Sequence, residues 1–84
     1  MPRDALFDQA VNRSAVYLER LGPLPEGAGP AEVAARIELW YLKTRFAYRV
    51  PLEEVVAALL ARPADQPPGA LEWAGGREGG WRAR

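Results

Sequence analysis

Apolar residues recur at helical spacing in three stretches of this chain. Over residues 3–21, Leu6, Phe7, Ala10, Val11, Ser14, Tyr17, Leu18 and Leu21 follow steps of three, four and one. At 100° per residue they fill a stripe about 140° wide, and Asp8, Gln9, Asn12, Arg13, Glu19 and Arg20 fall outside it. The spacing predicts an amphipathic helix, helix A, preceded by Pro2 and with Asp4 supplying early negative charge suited to a helix N-terminus. Over residues 52–62, Leu52, Val55, Val56, Leu59 and Leu60 follow i, i+3, i+4, i+7, i+8. That predicts helix C, with Glu53 and Glu54 in its first turn, too short to stand alone.

The intervening stretch, residues 31–50, is also free of breakers but has a different pattern. With Val33 set at 0°, Val33, Ile37, Trp40, Tyr41, Thr44, Ala47 and Tyr48 fall between about 320° and 80°. Ala35, Leu39, Leu42, Phe46 and Val50 fall between about 180° and 260°. Charged stripes separate them: Glu38, Arg45 and Arg49 on one side, Arg36 and Lys43 on the other. Read as one helix, helix B has two apolar faces. Two accounts fit. Helix B lies between A and C and buries both faces inside the domain, or one face meets A and C while the other meets a second protein. The Leu, Phe and Val face reads as core. The face with Trp40, Tyr41 and Tyr48 reads as an interface, because amphipathic aromatics are enriched where proteins meet. The association account is favoured, since so small a chain gains most from a partner.

Glycine and proline supply the punctuation. All 16 lie outside 3–21, 31–50 and 52–62. Gly22 and Pro23 close helix A, and Pro51 closes helix B by forcing Val50 out of the helical region. Residues 63–84 hold eight Gly or Pro and few aliphatics. The run Trp73-Ala-Gly-Gly-Arg-Glu-Gly-Gly-Trp81 reads as a flexible or loosely docked tail. A hairpin pairing Trp73 with Trp81 is the less favoured reading, because glycine weakens strands. Trp73 and Trp81 either fold back onto the bundle or dock on a partner. The expected architecture is therefore all-α: a three-helix domain over 1–62 and a tail over 63–84.

Composition narrows the chemistry. The 84 residues hold 11 basic and 11 acidic side chains, no histidine and no cysteine. The commonest general base, thiolate nucleophiles and thiolate or imidazole metal ligands are absent. One serine (Ser14) and one threonine (Thr44) are the hydroxyl nucleophiles, and Ser14 sits on an apolar face, where its hydroxyl can bond back to its own helix. Asp4 and Asp8, one turn apart, read as solvated charge. The run at 75–80 matches no phosphate loop. No catalytic residue, cofactor, metal or small-molecule substrate is expected. A net charge of zero gives no field for nucleic acid or an anionic membrane. Helix B is locally +2, and helices B and C invite a helix-turn-helix comparison, but Glu53 and Glu54 would meet phosphates. With no long apolar run and no apolar leader core, the expected location is the cytoplasm.

The reading that results is a small non-catalytic interaction module, a subunit, adaptor or assembly factor, docking on a protein partner or on itself as a homo-oligomer. The residues singled out are Trp40, Tyr41 and Tyr48, rimmed by Arg45 and Arg49, with Trp73 and Trp81 in the tail. The alternative is a small nucleic-acid-binding regulator using helices B and C.

Overall fold

The computed structural model describes residues 3–63, 65–67 and 69–84. Pro2 and the side chain of Asp4 lie outside what it describes. Three helices, α1 (Arg3–Arg20), α2 (Pro30–Leu42) and α3 (Leu52–Leu60), are followed by two strands, β1 (Leu71–Ala74) and β2 (Gly80–Ala83).

Helix α1 buries the stripe its periodicity marks. Phe7, Ala10, Val11, Ser14 and Ala15 are in the core, with Leu6, Tyr17 and Leu18 packed against it. Ser14 Oγ is fully enclosed and, among the described residues, has no hydrogen-bond partner, not even the helix carbonyl expected for it. An unpaired buried hydroxyl costs about 1–3 kcal/mol. After α1 the chain turns at Gly22, whose φ of +102° a side-chain-bearing residue rarely adopts. The linker is held from across the fold: Arg36 Nη1 donates to the carbonyls of Gly22 (3.4 Å) and Pro23 (3.3 Å), and Leu24 packs on the core.

Helix α2 begins with Gly29 as N-cap and Pro30 in its first position, where the missing N–H costs nothing. It ends at Leu42, not at residue 50. Thr44 leaves the helix in extended conformation (φ −91°, ψ 159°), and a short 3₁₀ turn, Arg45–Tyr48, follows. The break has a local cause. Thr44 Oγ1 donates to the Tyr41 carbonyl at 2.6 Å, alongside the Thr44 backbone N–H at 2.9 Å. A threonine hydroxyl that takes a carbonyl of the preceding turn competes with helix continuation. The break re-aims the chain, so Phe46 and Val50 enter the core while Leu39 and Leu42 do not.

Helix α3 starts after Pro51 and buries Val55, Val56, Ala58 and Leu59. It packs on both α1 and α2, which also touch each other. The three helices therefore share one core, and α2 is not a middle layer with A on one side and C on the other. The molecule is flat, with extents of 35 × 28 × 18 Å.

The expected all-α architecture is corrected by the C-terminal segment. Strands β1 and β2 pair antiparallel, with Leu71 opposite Ala83, Glu72 opposite Arg82, Trp73 opposite Trp81 and Ala74 opposite Gly80. The chain is a mixed fold, three helices plus a two-stranded sheet. The glycines that argued against a hairpin are what its connection requires. Gly75 and Gly76 both hold left-handed backbone, at φ +93° and +71°. A Cβ on Gly79 would overlap the carbonyl oxygen of Ala74, so no larger residue fits. The hairpin is anchored rather than loose. Asn12 brackets Trp73 from α1: its Nδ2 donates to the Trp73 carbonyl (3.0 Å) and its Oδ1 accepts the Trp73 N–H (2.7 Å). Asp8 Oδ1 accepts the Gly76 N–H at 2.9 Å. The Trp81 indole donates at 2.8 Å to the Ala58 carbonyl in the last turn of α3, which also accepts the Ala61 N–H at 3.1 Å.

Candidate interaction surfaces

The apolar face of α2 that reads as an interface is the one the fold buries. Val33, Ile37 and Tyr41 are fully enclosed. Tyr41 donates its hydroxyl to the Val50 carbonyl at 2.6 Å, closing the loop that leads to α3. Burial, and then the charge of Glu54, push its phenol up to about 12. Trp40 is half-buried and lies flat on Tyr17 of α1, with ring centroids 4.5 Å apart and planes 8° apart. Tyr48 stands apart from both. It sits on the 3₁₀ turn and is 89% exposed, flanked by exposed Arg45 and Arg49. Trp40, Tyr41 and Tyr48 therefore do not form one patch.

The two tail tryptophans are engaged within the chain. Trp73 is buried, edge-on to Phe7 at 6.0 Å, and its indole donates to the Gly76 carbonyl at 2.8 Å. Trp81 is half-buried, edge-on to Trp73 at 5.6 Å, with the Arg62 guanidinium 5.8 Å from its ring centre. Arg62 also pairs with Glu19 at 3.0 Å, so the hairpin, α3 and α1 meet at one arginine. Of the two accounts of these tryptophans, the structure shows the fold-back.

The surface apolar residues of α2 are the ones the pattern assigned to the core. Leu39 is 78% exposed and Leu42 58%, with exposed Ala35 one turn before Leu39. On the helical wheel the three lie between about 180° and 240°, one stripe on the outer side of α2. Glu32 and Lys43 flank that stripe on the same side, at about 260° and 280°. This surface was hidden in the sequence by its merger with Phe46 and Val50 into one face. The available signal was Thr44, which separates them.

Two of the surface concavities bear on binding. One, of about 320 Å³, lies between α1, α3 and the hairpin, floored by Phe7, Ala58 and Trp73. The ion pair of Glu54 and Arg77, 2.9 Å apart, lines it as well. The other, of about 440 Å³, runs beside the Tyr17–Trp40 stack and is rimmed by Arg13, Arg20 and Arg84. Of the features suggesting a nucleic-acid surface on helices B and C, Arg36 is committed to the linker carbonyls and Glu53 is exposed at the start of α3. Among the described residues, no three His, Cys, Asp or Glu side chains converge as metal ligands. No helix of the described residues is long and apolar enough to cross a membrane. Comparison with protein-family models, curated proteins and solved structures finds no match for this chain.

Proposed function

We propose that this protein is a small, non-catalytic, cytoplasmic interaction module that associates with a second copy of itself through the outer stripe of α2. The exposure of Leu39 and Leu42, neighbours on a helix whose opposite face is fully buried, carries this reading. Clustered exposed leucines are the surface soluble monomers tend to avoid. Charge favours a second copy as the occupant. In an antiparallel crossing whose two-fold lies between Ala35 and Leu39, Glu32 of each copy faces Lys43 of the other, because both lie on the same flank of the stripe. The absence of histidine and cysteine supports a non-catalytic role.

Sedimentation equilibrium tests the proposal. The expected result is a concentration-dependent mass rising toward two chains between about 1 and 100 μM, a range that covers micromolar dissociation constants. Leu39→Glu should hold the mass at one chain while leaving the circular dichroism spectrum unchanged, since this side chain is outside the core. A wild-type mass of one chain across that range overturns self-association.

A further inference from the structure

The groove beside the Tyr17–Trp40 stack has a composition unlike the rest of the molecule. Arg13, Val16, Tyr17 and Arg20 line it from α1 at i, i+3, i+4 and i+7, one helical face. Trp40 closes it from α2, and Arg84 from the end of the hairpin, where the Arg84 Nε–H is 3.4 Å from the Leu71 carbonyl. Three guanidinium groups surround about 440 Å³, and among the described residues no Asp or Glu side chain lines it. Among the described residues, Arg13, Arg20 and Arg84 make no ion pair. Two acids of α1 are turned elsewhere: Glu19 pairs with Arg62, and Asp8 accepts the Gly76 N–H. The zero net charge of the chain thus conceals a cluster of three guanidinium groups around an apolar floor, a focused positive site.

We propose that this groove binds a short acidic segment of a partner protein, its carboxylates on Arg13, Arg20 and Arg84 and an apolar side chain against Val16, Tyr17 and Trp40. Planar guanidinium forks match carboxylates in two-point hydrogen bonds. The same groove suits a nucleic-acid strand less well. Tyr17 and Trp40 each spend one ring face on the other, which removes a site for an intercalated base. The Asn12 amide at the groove edge, the group best able to read a base, is spent on both backbone groups of Trp73. Three cations are also few for a polyphosphate chain, whose affinity rises with every phosphate neutralised.

The groove is separate from the Leu39 stripe, so the two readings fail independently. The test uses the full chain, isotope-labelled, titrated with the peptide Asp-Glu-Leu-Glu-Phe-Glu, with its amide counterpart Asn-Gln-Leu-Gln-Phe-Gln, and with single-stranded oligothymidylate. Expected are shifts of the Trp40 indole N–H and the Val16 methyls with the acidic peptide alone, while the Trp73 and Trp81 indoles stay fixed. The double variant R13Q/R20Q, altering two exposed side chains, should weaken binding about tenfold, as should a rise to high salt. Equal response to the amide peptide, tighter binding of oligothymidylate, no movement of Trp40, or undiminished binding by R13Q/R20Q would each overturn the proposal. The sedimentation behaviour of R13Q/R20Q should match wild type.

Discussion

Tyr41 is held at both ends, its ring among Val33 and Ile37 in the core and its hydroxyl on the Val50 carbonyl. Nine residues of backbone, including the whole 3₁₀ turn, close over that one bond. Removing the hydroxyl leaves the Val50 carbonyl unpaired, so Tyr41→Phe should cost about 1–3 kcal/mol by urea denaturation. The bond also creates a pH dependence. Burial raises the phenol from 10.0 to about 12 in the folded state. A group whose folded pKa lies above its unfolded value contributes stability that is complete below pH 10 and lost as pH rises toward 12. Wild type should therefore lose stability between those limits more steeply than Tyr41→Phe, as followed by denaturant midpoint against pH.

At the scale of elements, the hairpin depends on glycine. Gly79 passes against the Ala74 carbonyl so closely that a methyl group would overlap it. Gly79→Ala should open the β1–β2 connection, release the Trp81 indole from Ala58 and red-shift tryptophan emission, with a stability loss of about 2 kcal/mol or more, because a steric overlap must be relieved by moving backbone. Gly80→Ala is the control. A Cβ there meets nothing, so only a small change is expected. These glycines explain how much of the fold was legible. Helices α1 and α3 could be read because breakers bound their stripes and one face of each is core. The hairpin could not, because in a bare sequence a glycine needed for a left-handed turn is indistinguishable from one that merely adds chain entropy. The α2 break was illegible for a related reason. At 100° per residue Phe46 and Val50 continue the line of Leu39 and Leu42, and only the Thr44 side chain divides them. The face singled out in the sequence divides with it, Tyr41 buried and Tyr48 exposed. The core had first claim on the tyrosine and valine side of α2, leaving the leucines outside.

At the scale of the molecule, the N-terminal helix and the C-terminal hairpin complete one another. Asn12 and Trp73 lie 61 residues apart in sequence, and Asp8 and Gly76 lie 68 apart. Helix α1 therefore presents two faces inside a single chain, one toward α2 and α3 and one toward β1. The bracket also makes a prediction about time. Contacts between nearby helices close short loops, whereas the Asn12–Trp73 contact spans 61 of the 84 residues, and its entropy is lost before the bond returns any of it. Such a contact belongs late on the folding path. Asn12→Ala should then leave the refolding rate within about twofold of wild type and accelerate unfolding about tenfold in stopped-flow traces, the signature of an interaction absent from the transition state. The three-helix core sets how fast the protein forms, and one asparagine near its beginning sets how long it stays formed.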